Sequence, residues 1–240
     1  MNKQTLKKIE SFGDVFNKTY RSEWTKERLL NNWKDSLQFF YEHSFMRGRK
    51  DSLSIRFKDL TIEVLRETIF KDLNYDLEKL DGELVNKGVN NGADRIMVLE
   101  SIKFIKKIED YNMTKYFINK LQKNEQEAYN ELIEEIKYVG DKIATLYFRE
   151  ICWIFDIKIK NYQMIFPIDT WVKQIINKLG ILNGGELSSR ELKKIKESEV
   201  KKKAIEICLK YDIDPIKFNA GIWYIGTHSL EILLNNLDKI

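Results

Sequence analysis

An almost entirely helical fold is predicted, on three observations. The 240 residues include only 2 prolines and 11 glycines, so few positions break a helix or ask for a left-handed turn. Long uninterrupted stretches are built from Lys, Glu, Leu and Ile, several of which lose little side-chain freedom in a helix. Along these stretches apolar residues recur at three- and four-residue spacing, the pattern of a helix with one buried face.

The elements follow in order. Trp24 to about Met46 is amphipathic, with Leu29, Leu30, Trp33, Leu37, Phe40 and Tyr41 near helical spacing. A turn over Arg47 to Asp51 leads into a second periodic run reaching about Phe70. Residues 79 to 95, KLDGELVNKGVNNGADR, are the most loop-like stretch, and their glycines predict a mobile connection. Ile96 to Leu121 reads as one or two helices and Glu125 to Lys137 as another. A helix opens at Lys142, and the next opens at Asp169. Residues 188 to 211 begin with serines suited to capping and continue as a charged helix with one apolar stripe. Finally Asp214 before Pro215 marks the start of a strongly apolar helix that runs to about Asn236.

At 28.6 kDa the chain is long enough to bury a sizeable core. With 43% hydrophobic and 32% charged residues it reads as a soluble globular protein rather than a disordered one. No stretch reaches the ~20 apolar residues that span a bilayer, and MNKQTLKKIE has no apolar run behind its charges, so a cytoplasmic, nucleoid-associated protein is expected. Cys152 and Cys208 lie far apart within apolar patterns and suit neither a disulfide framework nor a zinc or iron–sulfur site. Only His43 and His228 are present, which leaves a histidine-centred triad or metal centre little support. No cofactor and no metal are expected.

A net charge of +4 is compatible with nucleic acid, and local clustering says more. Residues 43 to 58 hold Arg47, Arg49, Lys50, Arg56 and Lys58 against the single acid Asp51, a stretch able to line a phosphate backbone.

Two residues stand out chemically. Lys142 lies in YVGDKIATLYFRE, in the first turn of a helix after a tight turn, and Asp169 lies in FPIDTWVKQII at the next helix start. Taken singly, a lysine in a first turn is usually a solvated charge and an aspartate there is usually a cap. Together they suit Schiff-base chemistry on a sugar.

The segment Ile136-Lys137-Tyr138-Val139-Gly140-Asp141-Lys142, followed by Ile143-Ala144, resembles the helix-hairpin-helix of the DNA glycosylase superfamily that includes endonuclease III. Phe166-Pro167-Ile168-Asp169-Thr170-Trp171-Val172 resembles the superfamily's apolar-Pro-apolar-Asp element, and Phe218 to Gly226 its late apolar helix. The resemblance covers roughly residues 125 to 230. Tyr138 stands where the superfamily usually has the first glycine. The long connection between Lys142 and Asp169, and the lack of a four-cysteine cluster loop, look more like the archaeal GO glycosylase branch, whose members remove 8-oxoguanine. That branch places an acid and a tryptophan four residues apart on the late helix, where this chain has Asn219 and Trp223.

The resemblance implies two interleaved helical lobes flanking a DNA-binding cleft, about 25–165 and 1–24 plus 166–240, in a single domain. It implies a monomeric base-excision enzyme, a bifunctional DNA glycosylase and AP lyase, acting on double-stranded DNA with a damaged or modified base. Lys142, its pKa lowered by burial and the helix end, would attack the sugar; Asp169 would stabilise the positive charge that develops there. Asn219 and Trp223 would form the base pocket; Tyr138, Val139, Gly140, Arg47 and Arg49 would contact DNA; Phe45 and Met46, beside Arg47, would fill the gap left by the flipped nucleotide. Two alternatives stand beside this: a monofunctional glycosylase for another base, and a non-enzymatic helix-hairpin-helix DNA-binding protein.

Overall fold

The computed structural model describes residues 2–182 and 185–229. Among them the fold is all-α, thirteen α-helices with two short 3-10 turns and no strand. The chain divides into two compact units, one formed by Trp24–Ile159 and the other by Met1–Glu23 together with Lys160–Ile240; the expected boundaries were 24/25 and 165/166.

The discontinuous unit begins with α1 (Lys3–Tyr20), whose buried stripe is Leu6, Ile9, Gly13 and Phe16. The continuous unit holds α2 (Lys26–Asn31), α3 (Trp33–Ser44), α4 (Asp51–Glu67), α5 (Leu77–Lys87), α6 (Gly92–Ile105), α7 (Met113–Lys123), α8 (Glu125–Glu135) and α9 (Asp141–Phe155). The chain then returns to the first unit for α10 (Thr170–Lys178), α11 (Ser189–Lys194), α12 (Glu197–Lys210) and α13 (Pro215–Thr227). Continuation of the last helix toward Asn236 lies outside the described residues.

Short polar side chains decide most helix starts. Asn2, Thr25, Asn32, Asp76, Asn91, Asn112, Asn124, Asp169, Ser188 and Asp214 each accept a hydrogen bond from a first-turn amide. Asn32 cuts the expected Trp24–Met46 helix in two, because its side chain takes the amides of Lys34 and Asp35 and restarts the helix. Residues 188 to 211 are likewise two helices, with Ile195 and Lys196 extended between them.

The expected mobile connection over residues 79 to 95 is instead α5 and the start of α6. Asp76 caps α5, Leu80 and Leu84 bury on its inner side, and Gly88 ends it at φ 103 in the left-handed region. Gly82 sits on the open side of α5, where an added Cβ would meet nothing within 4 Å. Gly88 thus stops a helix, and Gly82 is tolerated within one.

The continuous unit packs around aromatic rings. Phe40 lies edge-on to Tyr147 at 5.3 Å, and Phe117 lies edge-on to Phe148 at 5.5 Å, all four fully buried. Polar side chains pair within this core: Ser36 donates to Thr114 at 2.9 Å, and Tyr41 shares a hydrogen bond with Ser101 at 2.7 Å. In the other unit, Leu6, Ile9, Phe166, Ile168, Val172, Ile176, Val200, Phe218 and Ile222 form one apolar cluster. There α1 and α13 meet backbone to backbone: a Cβ on Gly13 would lie 2.3 Å from the Lys217 carbonyl oxygen, and one on Gly221 would lie 1.9 Å from that of Ile9. Glycine at both positions is what permits the approach.

Candidate active site

Lys142 lies in the continuous unit. Helix α8 ends at Glu135, the chain turns through Ile136 to Gly140, and α9 starts at Asp141. Ile136 and Val139 are buried under the turn, and the Val139 amide closes on the Ile136 carbonyl at 3.1 Å. Tyr138 carries the turn at φ 66, in the left-handed region, and the residue is 53% exposed. Gly140 is the N-cap of α9 and supplies no side-chain cap, so the first-turn amides are not covered by their own N-cap. Lys142, partly exposed, lies in that first turn.

Both flanks of this turn are tied down. From α8, Tyr129 donates to Asp141 Oδ1 at 2.5 Å; burial first, and the neighbouring carboxylate second, push its hydroxyl pKa up. From the segment after α3, Arg47 Nη1 donates to the Tyr138 carbonyl at 3.1 Å. The fold thus brings together Arg47 and Tyr138, two residues singled out in the sequence 91 positions apart.

Arg47 and Arg49 are committed inward rather than presented as bare phosphate contacts. Arg47 Nε lies 2.6 Å from Oδ1 of Asp94, and Arg49 Nη1 lies 2.5 Å from Oδ2. Asp94 is fully buried in the first turn of α6, and a buried carboxylate needs such charge-assisted partners. Arg47 Nη2 also contacts Met97 Sδ at 3.3 Å, while Arg49 reaches Ser54 and the Phe45 carbonyl. Burial pulls the Arg47 pKa down and Asp94 opposes it; a guanidinium stays charged regardless. Lys58 of the same basic stretch pairs with Glu42 at 2.7 Å, leaving Lys50 and Arg56 as its exposed cations.

The gap-filling expectation fares differently at its two positions. Phe45 is fully buried, with its ring edge-on to Tyr41 at 5.9 Å, because it is the C-cap of α3 and turns into the core as the chain reverses. Met46 is partly exposed.

Asp169 belongs to the discontinuous unit. Phe166, Pro167 and Ile168 are buried, and Asp169 follows as N-cap of α10, its Oδ1 accepting from the Val172 amide at 2.8 Å. The cap uses one carboxylate oxygen, and the residue is partly exposed. Asn219, expected to read a base edge, is fully buried and donates from Nδ2 to the Pro167 carbonyl at 3.0 Å. It ties α13 to the loop that delivers Asp169. Trp223, four residues on, is partly exposed and lies edge-on to Phe16 at 5.3 Å and Tyr20 at 5.4 Å. His228 ends α13, stacks on Tyr224 at 4.5 Å and shares a 2.6 Å hydrogen bond with the Tyr20 hydroxyl.

Asp94 and Tyr129 carry no expectation from the sequence, and Asp141 stands in the hairpin motif without a role of its own. A basic stretch that folds inward needs a buried counter-charge, and the acid in the first turn after the Asn91 cap is a candidate on that ground. Tyr129 carried no comparable signal.

Among the described residues no group of three or more His, Cys, Asp or Glu side chains is placed to hold a metal ion. No helix among them is long and apolar enough to cross a membrane. No protein-family model, curated protein or solved structure matches the chain.

Proposed function

We propose that the protein is a DNA glycosylase with AP lyase activity, acting on a damaged base in duplex DNA, 8-oxoguanine first among the candidates. The observation that carries this is the turn between α8 and α9: a left-handed residue, a helix start without a side-chain cap, and a lysine in the helix's first turn. Backbone amides of this kind suit a phosphate oxygen, and the turn fits the helix-hairpin-helix reading of the sequence. Asp169 at a second helix start, behind the buried Phe166-Pro167-Ile168, supports the same reading.

The chemistry assigned to these residues is as follows. The target nucleotide leaves the stack, since its glycosidic carbon is unreachable within it. The neutral Nζ of Lys142 attacks C1′ and forms a C–N bond, while the C1′–base bond breaks and the base departs with that electron pair and gains a proton. Asp169 stabilises the positive charge on the sugar in this step. Proton loss from nitrogen and ring opening give the protonated Schiff base. Removal of a C2′ proton then expels the 3′ phosphate and nicks the strand.

Borohydride trapping tests this. Duplexes carrying single 8-oxoguanine, uracil, thymine glycol or alkylated purine lesions are expected to give a covalent protein–DNA adduct with at least one lesion, lost in Lys142→Gln. Asp169→Asn is expected to slow base release by about 10²-fold or more, as loss of transition-state charge stabilisation does. Base release without any adduct would leave Asp169 activating water and overturn the lyase assignment. No release from any lesion, with duplex binding retained, would reduce the protein to a DNA-binding module.

A further inference from the structure

The turn before α9 holds a residue poorly suited to its backbone. Tyr138 sits at φ 66, a conformation that crowds any residue with a Cβ. Such a conformation persists only where its surroundings over-determine it. Here the surroundings are specific: Arg47 Nη1 holds the Tyr138 carbonyl at 3.1 Å, Asp94 holds Arg47 Nε at 2.6 Å, and Asp94 is buried with its other oxygen on Arg49 at 2.5 Å. Only Val139 and the extended Gly140 lie between Tyr138 and the start of α9 at Asp141, so rotation of the peptide at 138 swings the start of α9 and Lys142 with it.

We infer that Arg47, oriented by the buried Asp94, is a positioning residue that clamps the Tyr138 carbonyl and thereby sets the direction in which α9 presents Lys142. This rests on the reading of Lys142 as nucleophile. The clamp does for Tyr138 what a glycine needs no help to do. It also reassigns Arg47: its three nitrogens face Asp94, Tyr138 and Met97, so it orders the turn and does not neutralise a phosphate.

Three measurements on Arg47→Met, alone and combined with Tyr138→Gly, test the clamp. Without DNA, exchange of the two hydrogen-bonded amides that bracket the turn, Val139 and Ala144, is expected to speed up at least tenfold. The single-turnover rate of borohydride trapping on a lesion duplex is expected to fall at least tenfold, while the salt dependence of duplex binding stays as in the parent protein. Tyr138→Gly is expected to restore most of the trapping rate in the Arg47→Met background, because glycine adopts the left-handed turn unaided. A salt slope lower by about one unit would mark Arg47 as a direct phosphate contact and overturn the clamp. Unchanged exchange, or no rescue by glycine, would also overturn it. Should Arg47→Met fail to fold by circular dichroism, Arg47→Lys keeps the charge, loses the fork that spans Asp94 and Tyr138, and is held to the same outcomes. If the parent protein yields no adduct at all, the lyase reading fails by itself, and exchange at Val139 and Ala144 still decides the role of Arg47.

Discussion

At the scale of single residues, Asp94 matters most to stability. It is a fully buried carboxylate shared by two guanidiniums that are themselves largely covered. Replacing it with alanine strands two buried cations, so Asp94→Ala is expected to cost about 3–5 kcal/mol, read from the urea midpoint at unchanged slope. The cysteines lie at the inert end. Burial pushes the Cys152 thiol up to about 12 and raises Cys208 as well, so the nucleophilic thiolate is scarce in the native protein. Raised folded values have a definite sign: the unfolded chain ionises first, so stability is intact below the unfolded pKa of about 8.5 and declines as pH climbs toward the folded value. A thiol reagent such as Ellman's is therefore expected to leave both cysteines unmodified at pH 8 and to label both in concentrated urea. Rapid labelling of the native protein would contradict their burial.

At the scale of elements, much was legible because caps are written in side chains. Asp214-Pro215 announced α13 and the serines before Arg190 announced α11, since both motifs satisfy first-turn amides locally. Helix α1 carries a readable stripe in Leu6, Ile9, Gly13 and Phe16, which the abundance of lysines and acids around it obscures. Residues 79 to 95 misread as loop because a glycine's cost in a helix is small enough for the burial of Leu80 and Leu84 to override it. The close approach of α1 and α13 could not be read at all, since a glycine that permits contact looks like one that breaks a helix. That difference is measurable. Gly221→Ala forces a Cβ against the Ile9 carbonyl and is expected to destabilise by about 3 kcal/mol, at the upper end for overpacking. Gly82→Ala, on the open side of α5, is expected to stabilise by about 0.5–1 kcal/mol. Thermal unfolding of the two variants gives opposite shifts.

At the scale of the whole molecule, the all-α class followed from composition and period. The Lys142 and Asp169 positions were legible because each sits at a helix start in a motif of small or apolar residues. The ties of Arg47 to Asp94 and of Asn219 to Pro167 were not, because they join residues 47 and 52 positions apart through side-chain geometry. The division into units makes its own prediction. Residues 24–159 form a continuous unit with its own aromatic core, and a fragment of that span is expected to be helical and to unfold cooperatively. Residues 160–240 are expected to stay molten until a peptide of residues 1–23 is added, because α1 supplies the partner of α13. Cooperative unfolding of 160–240 alone would refute this.

The pairing of α1 with α13 also sets an order on the ribosome. Helix α1 emerges before α13, which follows roughly 200 residues later, some ten to forty seconds behind at bacterial-to-eukaryotic synthesis rates. Throughout that interval Leu6, Ile9 and Phe16 have no α13 to cover them, while the intervening unit is free to fold. The nascent chain thus carries an amphipathic helix whose apolar face waits for a partner not yet made, the kind of segment that holdase chaperones engage.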